Sequence, residues 1–415
     1  MAPSVPARLP VVILGNHITA TGVLRTLVRR GLEAHVAQDT SDIITRSRWY
    51  RPTPSRLPET DDSLTLAAFL DGLPLESAVL VATGDRWTAA VSGLPAEIRA
   101  RFPASVPPRE SVEKCIDKDR FRALVADLGI PAPRSREIGS PADLDHVSDG
   151  ELTTGFLKPT DSQRYARVFA TKGAFAASRE EAEGLVAEAA SEGFTYLLQE
   201  WIPGPISNTV LIDGFVDRAG RVTALVARRR IRMDPPRIAN TATSVTIPLG
   251  EVGEAVEVTR AVLQALRYRG IFNVEFKQDE RDGRFKIIEV NPRPTWYIEH
   301  LARAGAPTAW MSYLDAQELP VPVVDRYQVG RYGMYEVYEI AALLRAWSSG
   351  RRPNGPVIAP WLSGDHMLIR LDDPMPGVFD LARAARGRIT NVLGRLRLSR
   401  DGVDPARVRR AGRAT

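Results

Sequence analysis

Cysteine, histidine and lysine are all scarce in this chain, and each scarcity removes a class of function. The 415 residues include one cysteine, Cys115, so an internal disulfide framework and a thiolate zinc cluster are excluded. Five histidines (His17, His35, His146, His300 and His366) are scattered with no metal-ligand spacing. No apolar run approaches the roughly 18 residues of a membrane helix. The N-terminal run VVILG at 11–15 is too short for a secretory core, so a cytoplasmic protein away from membranes is expected. The loop that follows, GNHITATG, lacks the three-glycine spacing of a dinucleotide fingerprint, which argues against a nicotinamide-dependent oxidoreductase. The net charge of +5 suggests a basic protein, yet the tail from Arg383 to Thr415 holds ten arginines and two aspartates. The rest of the chain is net acidic, so a basic body for gripping nucleic acid is missing. The tail itself reads as a solvated terminus. Only six of the 55 basic residues are lysine: Lys114, Lys118, Lys158, Lys172, Lys277 and Lys286. A lysine that persists against such an arginine background marks a place where a compact, rotatable ammonium suits better than a planar fork.

What is present is an ordinary globular composition, 44% hydrophobic and 25% charged, in a length that implies two or three domains. Residues 11–40 read strand, loop, helix, strand, and SAVLVAT (77–83) adds a strand that ends at Gly84-Asp85. This alternation predicts a small parallel α/β domain over 1–112. Loops at the carboxyl ends of such strands tend to bind ligands, which makes Asn16, His17, Gly84 and Asp85 substrate-pocket candidates, with plain turn and cap roles as the alternative. A helix is predicted over 111–129, a strand ending at Lys158-Pro159, a Ser-capped helix over 178–193 and a buried strand, YLLQEWIPG, over 196–204. A strand ending in arginines follows at 221–232, then a helix and two strands joined by a turn at Arg281-Asp282-Gly283. From about 320 the pattern becomes helical and broken by prolines.

The last two strands pose the central question. In KIIEVNPRPTW (286–296), Glu289 sits among Ile287, Ile288 and Val290, where a lone carboxylate would cost several kcal/mol. Glu289 and Asn291 are two apart on a strand and so share a face, and Glu275 on the preceding strand can lie beside them. Two carboxylates and an amide oxygen converging in this way suit a hard cation such as magnesium that also holds phosphates. Arg293, just beyond, is placed for a phosphoryl group. The alternative is a buried Glu–Arg pair with no ligand.

Lys118 in DKDRF, Lys158 in FLKP, QEWIPG at 199–204, Glu275 in VEFK and EVNPR at 289–293 occur in an order that resembles the ATP-grasp superfamily. The similarity covers roughly 10–315 and is nearest to the ATP-dependent carboligases, the carboxylate–amine ligase branch. It implies an α/β fold with α+β grasping lobes: the N-terminal domain (1–112), a two-lobed ATP-grasp domain (113–318) hinged near 199–204, and a mainly helical C-terminal region (319–415). It implies ATP and magnesium as cofactors, two metal ions in number, with manganese able to substitute. Lys118 and Lys158 match the lysines that reach the nucleotide phosphates, and Glu200, Trp201 and Ile202 match the hinge that reads and sandwiches adenine. Glu275, Glu289 and Asn291 match the metal ligands, and Arg293 the arginine that steadies the transferred phosphoryl group. Arg230 matches a further phosphate contact, with Arg228, Arg229 and Arg232 competing for the role. One departure stands out: the loop DSQRYARVFATKG after Lys158 has its only glycine, Gly173, at the far end. Arg164, Arg167 and Lys172 either replace backbone donors over the phosphates or form plain surface.

The implied reaction joins a carboxylate to an amine through an acyl phosphate, releasing ADP and phosphate. A thiol, hydroxyl or carrier-protein acceptor stays open, as does a catalytically silent nucleotide-binding relative. The implied partners are small-molecule carboxylates and amines, and a homodimer is one assembly open to such an enzyme. Trp296, Tyr297 and His300 follow the metal candidates and either stack on a substrate ring or pack internally.

Overall fold

The computed structural model describes residues 8–37, 42–57, 60–169, 171, 173–235 and 240–386. Lys172 and the tail beyond 386 lie outside the described residues. Two of the expected elements, the run VVIL and the run VLVA, become β1 (Val11–Leu14) and β3 (Val79–Ala82), and every residue of both is buried. With β2 (Ala34–Val36) they form a parallel sheet in the order β2-β1-β3. Continuous apolar runs are what a parallel strand covered on both faces requires. α1 (His17–Val28), α2 (Ser63–Asp71), α3 (Asp85–Ser92) and α4 (Ala96–Arg101) surround it. Gly15 carries φ +123°, and a Cβ there would collide with Thr83 Oγ1. The turn out of β1 therefore needs glycine.

The single helix expected over 111–129 is two, α5 (Arg109–Ile116) and α6 (Lys118–Asp127). Asp117 divides them: its backbone is extended, and its carboxylate accepts from Asp119 N at 2.9 Å and Arg120 N at 3.0 Å. It thus caps the second helix, and Lys118 becomes the first helical residue. A small antiparallel sheet follows in the order β4-β6-β5, from β4 (Ser135–Ile138), β5 (Gly155–Pro159) and β6 (Tyr196–Glu200), backed by α7 (Asp149–Thr154), α8 (Ser162–Phe169) and α9 (Arg179–Ser191). The stretch expected to be loop after Lys158 is thus partly helix. Tyr165 and Phe169 of α8 are buried in the core of this layer, and the absence of glycine removes the main obstacle to a helix there.

The largest layer has seven strands in the order β11-β10-β7-β8-β9-β12-β13. β7 (Thr209–Val216), β8 (Val222–Asp234) and β9 (Asn240–Ile247) are followed by α10 (Gly253–Ala265) and the hairpin of β10 (Gly270–Gln278) and β11 (Phe285–Asn291). α11 (Ile298–Arg303) and α12 (Thr308–Ala316) then carry the chain back onto α1. The C-terminal region is mainly helical, as expected, and also contributes two short strands. Besides α13 (Glu336–Ser348) and α14 (Ile358–Ser363), it supplies β12 (Tyr332–Met334) and β13 (Asp365–His366) to this sheet. One apolar cluster runs from Ile13 and Leu24 through Ile298 and Met311 to Phe215 and Val226. The N-terminal layer and the large sheet therefore share a core. Among the described residues no helix is long and apolar enough to cross a membrane.

Candidate active site

A cleft of about 1910 Å³ opens between the small sheet, the large sheet and the loops of the N-terminal layer. Asn16, His17, Gly84, Asp85, Lys118, Lys158, Glu200, Trp201, Ile202, Arg230, Glu275, Glu289, Asn291, Arg293 and Trp296 all line it. Arg164, Arg229 and His300 do not, and Lys172 and the Arg167 side chain lie outside the described residues.

The hinge end is built by β6. Glu200 N donates to Arg134 O at 2.7 Å, and the Glu200 carboxylate takes up Arg134 N at 3.1 Å and the Arg281 guanidinium. Lys286 lies 3.6 Å away and also reaches Asp279 at 2.8 Å. Arg281 first, with Lys286 behind it, holds the Asp279 carboxyl well below the usual carboxylate range. Glu200 therefore fastens the small sheet to the hairpin of the large one. Trp201 is half-exposed and meets the rings of Phe156 and Phe175 edge-on, at 6.3 and 5.1 Å. Buried Ile202, with Leu211 and Ile288, completes an apolar floor. Such a slot takes a flat ring while the adjacent hinge backbone offers its polar groups.

Three lysines, Lys118, Lys158 and Lys277, stand beside this slot. Lys118 Nζ donates to Pro159 O, and to Thr160 O at 2.8 Å. Burial, and then the nearby Lys158 ammonium, push Lys118 down to about 8. Lys277, which sequence reasoning singled out only as a rare lysine, lies on the same strand face as Glu275 and also lines the cleft. Its Nζ donates to Gly204 O at 3.0 Å and Pro205 O at 2.5 Å, and burial followed by Arg230 pushes it down to about 8 as well.

The hairpin places Glu275 directly opposite Glu289 in the antiparallel register, as the strand period predicts. Arg230 Nη2 meets Glu275 Oε2 at 3.0 Å, while its Nε meets Thr241 Oγ1 at 2.8 Å. Strand alternation removes one of the four competing arginines of β8 from the cleft. Arg229 turns away to Ser207 O and Glu251, whereas Arg228, Arg230 and Arg232 face the cleft. Arg228 is buried on Asp213 at 2.7 Å and lies over the Tyr297 ring at 4.3 Å. Asp213 in turn accepts from Asn273, and Asn273 from Asn291 at 3.2 Å. Asn291 also donates to Glu289 Oε1 at 3.1 Å and accepts from Arg293 Nη2 at 3.0 Å. A polar network behind the hairpin thus fixes the amide orientation and leaves one Asn291 Oδ1 lone pair for another partner. Arg293 Nε reaches Asp85 Oδ1 at 2.8 Å, so one guanidinium joins the N-terminal layer to the hairpin. Among the described residues no three His, Cys, Asp or Glu side chains cluster as a metal cage. Two carboxylates and an amide oxygen are instead a donor set that would suit a magnesium ion with water and phosphate as its other ligands.

His17 starts α1 with φ 63° and pairs through Nδ1 with Asp42. Trp296 lines the cleft and packs against Tyr335 and Tyr338 at 5.4 and 5.7 Å. Tyr297 and His300 are internal: Tyr297 donates to Thr241 O at 3.1 Å, and His300 Nδ1 contacts Asp365 at 2.8 Å. Arg164 does not cover the cleft. It donates to Glu192 O at 3.0 Å and lies over Phe194 at 4.5 Å, within its own layer.

The family model described as ATP-grasp in the biosynthetic pathway with Ter operon matches residues 195–332. D-aspartate ligase of Enterococcus faecium is 26% identical over 223 residues, 52% of this chain and 53% of that protein. The chain spans about half the length of the curated relatives it matches. Carboxyaminoimidazole ribonucleotide synthase from Aspergillus clavatus, solved with ATP, superposes with a TM-score of 0.60 at 15% identity, over 78% of this chain and 80% of that one. L-amino acid ligase from Bacillus licheniformis superposes with a TM-score of 0.58 at 15% identity, over 77% and 78%. The match over residues 195–332 is thus to an ATP-grasp family model, and the layers around the cleft share the fold of these solved structures.

Proposed function

We propose that the chain is an ATP-dependent ligase that joins a carboxylate to an amine through an acyl phosphate, with release of ADP and phosphate. The observation that carries this reading is the facing pair Glu275 and Glu289, flanked by Asn291 and Arg293, in the cleft shared by Lys118 and Lys158. A relative named D-aspartate ligase and a structural neighbour named L-amino acid ligase support it. In this reading residues 1–112 supply the substrate loops, 113–318 grasp the nucleotide, and the region from 319 closes the far end.

Adenine occupies the Trp201 and Ile202 slot, and the Glu200 salt cluster keeps the hinge backbone in place to read its edge. Lys118 and Lys158 take the phosphates: the Lys118 ammonium exchanges two carbonyl oxygens for an anion, which favours its charged form. Glu275, Glu289 and Asn291 would hold magnesium, or manganese, and a bound metal would supply Lewis-acid neutralisation of the phosphate oxygens. Arg230 anchors the Glu275 carboxylate, and the network through Asn273 and Asp213 sets Asn291. Arg293, oriented by Asp85, faces the equatorial oxygens of the γ-phosphate. The substrate carboxylate, brought in along Asn16, His17, Gly84 and Trp296, attacks that phosphorus. An amine then attacks the acyl carbon, expelling phosphate and losing a proton. No side-chain nucleophile is needed, because positioning and electrostatics carry the catalysis.

A phosphate-release screen with magnesium and ATP tests the reading. Amino acids and small acids are each paired with amines, and hydroxylamine serves as a trap for acyl phosphate. ATP-dependent hydroxamate or amide formation is expected; an ATP-binding protein that yields neither with any acid would contradict it.

A further inference from the structure

The substrate end of the cleft has a wall that lies outside the matched 195–332 span. α13 turns Tyr338, Ala342, Ala346 and Ser349 toward the cleft, a spacing that follows one helical face. The two alanines leave space beside the ring wall of Trp296, Tyr335 and Tyr338. Past the end of the helix, Arg351 and Arg352 also line the cleft and are exposed.

The turn that carries them is fastened at both sides. Arg351 N donates to Ala346 O at 2.9 Å. Beyond it, Arg232 donates to Asn354 O and Pro356 O, at 2.5 and 2.9 Å, while Glu339 holds that same guanidinium. Gly355 has φ +66° and no room for a Cβ beside Ile231. Two consecutive arginines are thus presented to the cleft from a fixed backbone.

Six of the nine arginines that line the cleft are ion-paired to a carboxylate, Arg345 to Asp234 and Arg383 to Asp380 among them. Arg351 and Arg352 have no carboxylate partner among the described residues. Neighbouring like charges on a pinned turn are unfavourable until an anion joins them, and the guanidinium fork fits carboxylate or phosphate oxygens.

We propose that Arg351 and Arg352 form an anion subsite, so that the acid activated in this cleft carries a second negative group remote from the reacting carboxylate. The assignment rests on the ligase reading for the identity of the reacting end, but the subsite is testable by binding alone. Calorimetry would compare glutamate, its neutral isostere glutamine and O-phosphoserine on the full chain, in wild type and in R351A/R352A. Both side chains are exposed, so their loss should not unfold the protein. In wild type, glutamate or O-phosphoserine should bind about tenfold or more tightly than glutamine, the scale of a charged hydrogen bond. That preference should fall to about onefold in the double variant and be partly restored in R351K/R352K. Stronger binding of glutamate points to a second carboxylate, and stronger binding of O-phosphoserine to a phosphate. A wild-type preference near onefold, or one that persists in R351A/R352A, overturns the subsite. ADP with magnesium serves as the separate reference. Intact ADP binding with no acid preference removes the subsite alone, whereas an intact preference without ADP binding supports the subsite and removes the ligase reading.

Discussion

The two ends of the cleft are made cationic by different means. At the end beside the Trp201 slot the cations are ammonium groups resting on backbone carbonyls: Lys118 on Pro159 and Thr160, Lys277 on Gly204 and Pro205. Both are pushed down to about 8. At the other end the cations are guanidinium groups, most of them already tied to carboxylates such as Glu275, Glu339, Asp85 and Asp234. Carbonyl oxygens release a donor cheaply when a phosphate arrives, and a buried ammonium gains charge stabilisation as it does so. A paired guanidinium is a fixed strut that sets the position of a carboxylate. The lysine end is thus built to respond, and the arginine end to hold still.

The largest expected effect comes from the carboxylates between the two ends. Glu289→Gln keeps the Asn291 contact and removes one charge, so turnover should fall by about a thousandfold, in line with the several kcal/mol a bound metal supplies. Its melting temperature should stay within a few degrees, because Arg230 already neutralises Glu275 and little repulsion remains to be relieved. A variant that instead melts far below wild type, with or without magnesium, would make the hairpin a structural ion pair. Next, Lys158→Ala should weaken binding of a magnesium–ATP analogue by about tenfold to a hundredfold, the worth of a charged hydrogen bond. Calorimetry showing an unchanged Kd would take Lys158 out of the site.

The pH dependence sharpens the comparison further. Free Lys118 loses its proton near pH 8, whereas a bound triphosphate favours the cation. Above pH ~8 the complex therefore holds a proton that the free protein lacks. Affinity should be level below that pH and fall about tenfold per unit above it, until the raised value in the complex is reached. Proton uptake read in buffers of different ionisation heat checks this, and Lys118→Arg should flatten the slope. The smallest effect is expected at the arginine end. Arg345 is half-exposed where it meets Asp234 at 2.8 Å, so Arg345→Ala should cost less than about 1 kcal/mol in a denaturant titration. A loss several times larger would make it a strut like Arg232.

The hairpin was legible in the sequence because a strand period of two leaves no choice about which side chains share a face. Glu275, Glu289 and Asn291 meet as that rule requires, and Lys277, one of the six lysines, lines the same cleft. What escaped was long-range. Nothing local in Tyr338, Ala342 or Arg351 says that the far region folds back to wall the cleft. Arg25 looks like an ordinary helical arginine, yet it is wholly buried on Asp373, 348 residues away. The helix over 162–169 was missed because its aromatic residues, Tyr165 and Phe169, answer to a core built from distant strands. Asp117 was read through as helix because its capping role depends on a backbone that departs from helical values only at that residue.

The last three-residue pairing of the large sheet bears on how the chain can be divided. β12 covers β9 through Tyr332, Gly333 and Met334, and Tyr335 N donates to Ala242 O at 2.8 Å. A chain ending at residue 332 would keep the bonds of Thr246 to Gly330 and Arg331 but strip Thr243 and Ser244 of their β12 partners, exposing that part of β9 as a template for another copy's strand. Cutting the chain where the family model stops should therefore yield aggregates, and the smallest well-behaved fragment must run on through β13.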